Sequence, residues 1–357
     1  MTKPIAFFTA LQALRGYAVL AVCLAHLQGS EGKLPGAPIL GTWAHIGFAG
    51  VDLFFVISGF VMVWVTRNIQ GNAASIPPFF VGRFLRIYPL WWLVLSAMVV
   101  VWMVRPEWVY ARHHAQPNIV LSYLLLPAQG LPLHAVGWTL IHEVWFYFIF
   151  GLMLSAPKKA LPFLLLGWGT IVAAAAIVLP APNNPWIALV RHPLTLEFIL
   201  GAFVGLLATK KYFPLSQVLL RLGLFWLLLS CASIISNPTP TFETEWLRVF
   251  LFGCPFALIL WGWVGSESQG ANAPAWACSV GDWSYGLYLI HVPVFVAIAR
   301  LFAPVSGPGP IDNLAILTLS FATAIGIAYV LHITIERPIA RLSKQIINFR
   351  HSAVREK

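Results

Sequence analysis

The sequence predicts an all-α polytopic membrane protein with about ten transmembrane helices and both termini in the cytoplasm. Three observations lead there. Of the 357 residues, 59% are hydrophobic and only 10% are charged, whereas a soluble globular domain carries about 25% charged residues. The apolar residues fall in runs close to the roughly 20 residues that cross a bilayer. The cations between those runs are divided unequally between the two sides.

Ten runs satisfy the length requirement: 11–28, 48–66, 87–104, 137–155, 161–180, 194–209, 222–236, 248–265, 283–303 and 313–335. The stretch "IVLSYLLLPAQG" at 119–130 is too short to cross, and reads as an interfacial or re-entrant piece. "PVSGPGPID" at 304–312 reads as an outer turn. With the N-terminus inside, 16 of the 22 Lys and Arg residues fall on the inner side, and only Lys33, Arg105, Arg112, Arg191, Arg248 and Arg300 fall outside. That asymmetry fits ten spans. The 16 Trp suit two membrane–water interfaces. No signal-peptide cleavage pattern precedes the first run, which is expected to be a retained helix. Residues 1–340 read as one integral-membrane domain and 341–357 as a short basic cytoplasmic tail suited to the inner surface.

Composition also narrows the chemistry. The net charge is +10, yet the basic residues flank apolar spans and form no long run, so no nucleic-acid partner is expected. The four cysteines, Cys23, Cys231, Cys254 and Cys278, form no C-x-x-C pair and read as small apolar residues, with no metal or disulfide framework. No P-loop, G-x-S-x-G, H-E-x-x-H or Rossmann glycine pattern stands in a meaningful context, which argues against ATP, NAD and zinc.

Ionisable groups inside a bilayer are expensive unless paired or hydrated, so they are the candidate site. In "LRGYAVLAVCLAHLQG", Arg15 and His26 are 11 positions apart. At about 100° per residue they share a helix face and lie about 16 Å apart along the axis. Arg15 sits near the inner mouth and can bind an anion; His26, deeper, can accept a proton. Taken singly, the first is also a snorkelling anchor and the second a hydrogen-bonded core histidine. Asp52 opens the second span, where it can pair with a cation, orient a histidine or cap the helix. Ser58-Gly59 suits close helix packing. Arg83 and Arg86 stand at i and i+3 before Pro89, and two guanidiniums on one side make a phosphate clamp, or plain positive-inside charge. "GWTLIHEVWFYFIF" places His142 and Glu143 in an aromatic span, with Tyr147 one turn on. In "DWSYGLYLIHVPVF", Ser284, Tyr288 and His291 share a face that can line a polar cavity or bridge helices. Glu336-Arg337-Pro338 closes the last span.

The ordered set resembles acyltransferase family 3, the integral-membrane O-acyltransferases, over roughly residues 8 to 340. Its most specific element is Arg15-x10-His26, supported by "GFAGVDLFFVISGF", "RFLRIYPLWW", "GWTLIHEVWFY", "LEFILGAFVG" and "WSYGLYLIHVP". The resemblance implies about ten helices and transfer of an acyl group, usually acetyl, from cytoplasmic acyl-CoA as co-substrate, with no tightly bound cofactor. It implies a hydroxyl acceptor, mostly a sugar of an envelope polysaccharide, and a multi-pass protein of the inner or plasma membrane. The chain stops soon after its last span, so it looks like the form without a C-terminal esterase-like domain. On this reading Arg15, Arg83 and Arg86 meet the CoA phosphates, and His26 deprotonates the acceptor or carries the acyl group. Glu143 joins it as a catalytic candidate, and Asp52, Tyr288 and His291 are candidates for acceptor binding. The rival reading is a secondary transporter or exporter of a lipid-linked sugar. The missing internal repeat weakens it, and thioester consumption separates the two.

Overall fold

A computed structural model describes residues 8–109, 116–179, 183–211, 213–236 and 244–355, with side chains described as far as residue 346. Lys3, Arg112 and Lys357 of the charge tally lie outside the described residues. Eleven helices organise the chain. They are α1 (Thr9–Glu31), α2 (Gly50–Thr66), α3 (Ile76–Val104), α4 (Gly137–Met153), α5 (Leu161–Val178), α6 (Thr195–Ala208), α7 (Ser216–Ser236), α8 (Cys254–Ser268), α9 (Ser284–Phe302), α10 (Pro310–Leu331) and α11 (Arg337–Arg355). No strand occurs among the described residues.

Among the described residues, nine stretches are long and apolar enough to cross a membrane, once short turns preceding α2, α3, α5, α6 and α8 are joined to them and α10 is taken together with α11. The tenth, α4, has 17 residues, the lower end of the spanning range. The all-α polytopic architecture is therefore as the sequence predicts. Burial sorts the helices into layers: 72% of the apolar window is buried in the stretch containing α2, but only 17% in α7 and 22% in α5. The outer helices present residues such as Phe163, Ile171, Phe225 and Leu228, all more than half exposed. Their backbone bonds close within the helix, so such faces suit lipid.

α1 is central. It packs against α2, α8, α9 and the short helix Ala275–Asp282. α2 and α6 form the most intimate pair because two glycines interlock. A Cβ on Gly59 would fall 1.8 Å from the Phe198 carbonyl oxygen, and one on Gly201 1.8 Å from that of Val56. Only hydrogen fits at either position.

Three segments differ from the sequence reading in extent. α3 begins at Ile76 rather than near 87, because Pro77 and Pro78 occupy its first turn, where their fixed φ and missing N–H suit a helix start. Pro89 thus lies inside the helix, and Arg83 and Arg86 sit on a rigid turn instead of in a loop. In the stretch 119–130 only Ile119–Leu124 is helical, capped by the Asn118 side chain. Trp91 and Trp92 of α3 donate to the carbonyls of Ser122 and Tyr123 at 2.9 and 3.0 Å, tying this short piece to α3. The helix does not stop at Glu336-Arg337-Pro338: α10 continues through a π-turn, His332–Glu336, into α11, which takes in the tail from 341 that the sequence reading allows as an inner-surface helix.

Candidate active site

At the end of the bundle where α1 begins, α1, α3 and α9 converge. α1 contributes Arg15, whose guanidinium donates to Ser284 Oγ on α9 at 3.0 Å and to Gln12 Oε1 at 3.4 Å. Ser284 Oγ in turn donates to the Gly281 carbonyl at 2.8 Å, which leaves its lone pair aimed at Arg15. α3 contributes Arg83 and Arg86 one turn apart. Arg83 stacks over the Tyr147 ring, with its guanidinium carbon 5.6 Å from the centroid. Its Nε and Nη1 are buried with no acceptor among the described residues. α4 contributes Glu143, whose carboxylate accepts from the Tyr147 hydroxyl and from Ser58 Oγ of α2 at 3.2 Å. These groups line a small cavity whose far wall is apolar and aromatic, with Phe54, Phe55, Val61 and Leu140.

Three guanidiniums around one carboxylate leave the cavity cationic. A buried N–H without an acceptor is unfavourable by about 1–3 kcal/mol, more when charged, so Arg83 stands ready for an anionic ligand. The same three arginines also border a wider vestibule of about 1470 Å³ formed by the starts of α1 and α11 and the π-turn. An anion arriving through the vestibule therefore meets all three before it reaches Glu143.

His26 is not among the residues lining this cavity. The connection is a short chain of polar groups. Tyr288 lines the cavity, with its hydroxyl 2.8 Å from Thr139 Oγ1. The Tyr288 and His291 ring centroids are 5.7 Å apart, and those of His291 and His26 4.9 Å. His291 is fully buried. Its Nδ1 lies 3.1 Å from the Leu287 carbonyl and so carries the proton, which leaves Nε2 as an acceptor without a partner among the described residues. His134 approaches the same α9 backbone, with Nε2 2.7 Å from the Leu289 carbonyl. Sequence spacing placed Arg15 and His26 on one face of α1; the tertiary arrangement inserts the α9 groups between their two environments.

Asp52 lies elsewhere. It is 0% exposed and receives Arg248 in a bidentate pair, Nε–Oδ1 3.1 Å and Nη2–Oδ2 3.0 Å. Glu197 is equally buried beside them, and the His142 and His192 rings meet edge-on at 4.4 Å. Arg248, counted with the outer-side cations, is buried within the bundle at 6% exposed, because the carboxylate opening α2 pairs with it. The sequence reading also passed over Tyr285 and Thr139, both on the cavity wall. Tyr285 falls off the Ser284–Tyr288–His291 face, but its hydroxyl reaches the Ile87 carbonyl of α3 at 2.7 Å and draws the side chain into the junction.

The architecture and this site define a class: a multi-pass helical membrane protein with a cationic, carboxylate-bearing cavity inside the bundle, opening at one membrane face. The chain belongs to acyltransferase family 3, whose acyltransferase-domain model matches residues 8–333. It is thus a membrane acyltransferase. It is 30% identical to the exopolysaccharide production protein ExoZ of Rhizobium meliloti, over 83% of this chain and 90% of that one. It is 26% identical to the acyltransferase MdmB of Streptomyces mycarofaciens, over 93% and 91% of the two chains. It is 25% identical to the putative peptidoglycan O-acetyltransferase YrhL of Bacillus subtilis, over 81% of this chain and 49% of the relative. No solved structure matches the chain.

Proposed function

We propose that this protein is an O-acyltransferase of the inner or plasma membrane that moves an acyl group, acetyl in the first instance, from cytoplasmic acyl-CoA to a hydroxyl of an envelope glycan. The observation that carries the reading is the arginine-lined junction between vestibule and cavity, at the end where α1 begins. CoA is a polyanion with a pyrophosphate and a phosphomonoester, and guanidiniums bind such groups through paired N–H donors. The positive-inside distribution supports a cytoplasmic position for that end. The relatives named for exopolysaccharide production and peptidoglycan O-acetylation support a hydroxyl-bearing polymer as acceptor.

In this reading Arg15, Arg83 and Arg86 hold the donor phosphates while the neutral thioester arm extends past Glu143 toward Tyr288. His26 takes the proton of the acceptor hydroxyl. Its oxygen attacks the thioester carbonyl, the C–S bond breaks, and the CoA thiolate leaves and is protonated. A relay in which His26 itself is acylated and then passes the group on uses the same residues. Glu143 balances the arginines, and the buried His291 ring, 4.9 Å from that of His26, packs against the catalytic imidazole.

The test is calorimetric binding of acetyl-CoA to the detergent-purified protein, beside Arg15→Ala and Arg83→Ala/Arg86→Ala variants. Tight binding that collapses in the variants supports the donor site. A well-folded wild type that binds no acetyl-CoA overturns it and favours a protein that consumes no thioester.

A further inference from the structure

The vestibule has a second group of basic residues, which the donor reading does not use. We infer that the first two turns of α11 form the nucleotide end of the donor site, with Arg337 and Lys344 binding the phosphorylated ribose of acyl-CoA. This rests on the acyl-CoA reading above and extends it to the part of the donor farthest from the thioester.

Both residues line the vestibule that Arg15, Arg83 and Arg86 close at its inner end. They are seven positions apart on one helix, so they share a face and stand about 10 Å apart along the axis. Between them Ile339, Ala340 and Ser343 line the vestibule, one branched apolar side chain and two small ones. A cleft with apolar and small side chains between two cations suits a flat nucleoside bearing a phosphate.

The π-turn sets the Arg337 guanidinium. His332 Nδ1 lies 2.6 Å from Glu336 Oε2, and Arg337 Nε donates to His332 Nε2 at 3.1 Å. The imidazole thus sits between carboxylate and guanidinium, donating to one and accepting from the other. An extra residue in the turn is what brings position 337 back over 332. With Nε engaged, the two Nη groups remain, and among the described residues neither they nor the Lys344 ammonium has an acceptor. A phosphomonoester carries about −1.5 to −2 charge near pH 7 and supplies three acceptor oxygens. The inner arginines, nearer the cavity, are then left for the pyrophosphate.

The test compares binding of CoA and of 3′-dephospho-CoA by calorimetry in neutral detergent without added lipid, for the wild type, Arg337→Gln/Lys344→Gln and Arg341→Gln. Arg341 shares the helix but does not line the vestibule, so its variant reports any general loss of charge on α11. The wild type should prefer CoA by about tenfold or more, the size of one or two charge-assisted hydrogen bonds. The double variant should lose that preference while holding dephospho-CoA within about twofold of wild type, and Arg341→Gln should behave as wild type. A double variant that still prefers CoA overturns the inference and leaves the donor reading standing. So does one that weakens both ligands equally, because the two side chains would then act on the shared pyrophosphate or on the fold. A wild type that binds neither ligand removes the donor reading and this inference together.

Discussion

At the scale of single residues, the site divides into groups that hold and groups that react. Arg83 illustrates the first. Its buried donors lack acceptors, and Tyr147 and Phe79 crowd its flat face. Lysine at this position keeps the charge but loses the planar fork. Arg83→Lys should therefore weaken acetyl-CoA binding by about tenfold, roughly one charge-assisted hydrogen bond, with calorimetry as the measure. Equal affinity would show that charge alone matters there. His26 illustrates the second. General acid–base catalysis contributes typically about 10²–10⁴ in rate. In His26→Ala, acetyl-CoA binding should persist while release of CoA thiol in acceptor-containing membranes falls by that order. Full transfer activity in an inserted His26→Ala protein would sink the assignment.

At the scale of helices, two contacts fix how the elements meet. The first is the ion pair between Asp52 at the start of α2 and Arg248 just before α8, both nearly inaccessible to solvent. Removing one partner of a buried pair strands the other charge, a penalty of about 3–5 kcal/mol, whereas apolar replacement of both is often tolerated. Arg248→Met should lower the melting temperature in detergent markedly, the more so because Glu197 is buried alongside. Asp52→Leu/Arg248→Met should recover much of the loss. If Asp52→Asn instead kept its melting temperature and lost transfer activity, Asp52 would belong to acceptor binding and not to this clamp. The second contact is the Gly59–Gly201 crossing of α2 and α6. Gly59→Leu has no room beside the Phe198 carbonyl, so it should force the helices apart and yield protein that aggregates on size-exclusion chromatography. Ser58 stands next to that crossing and donates to Glu143, so the packing also sets the cavity wall.

At the scale of the whole molecule, one end of the bundle gathers the vestibule, the π-turn and the start of α1, and the other gathers the Asp52–Arg248 pair. The proposed orientation puts the first end in the cytoplasm. A membrane-impermeant thiol reagent applied to intact cells should then label Val305→Cys, an exposed position in the turn between α9 and α10, and spare Lys159→Cys, between α4 and α5. The reverse pattern would invert the topology and place the arginine vestibule on the wrong side for a cytoplasmic donor.

What the sequence by itself determined is what depends on distance along one chain. Apolar length sets which stretches can cross, and the Arg15-x10-His26 spacing with its companion stretches marked the family. Helix starts were less legible where prolines act. Pro89 looked like a boundary, yet Pro77 and Pro78 make a better one, so α3 was read eleven residues short. Only the tertiary structure decided which polar groups meet. Asp52 and Arg248 are 196 positions apart, and nothing in either neighbourhood marks them as partners. Likewise, Arg15 and His26 share a face of α1, yet one borders the cavity and the other stands behind Tyr288 and His291 of α9. The physical reason is that a helix face is a wide sector. Its partners depend on how the neighbouring helices tilt and rotate, and that is set by small-residue crossings such as Gly59–Gly201, through contacts that no single span encodes.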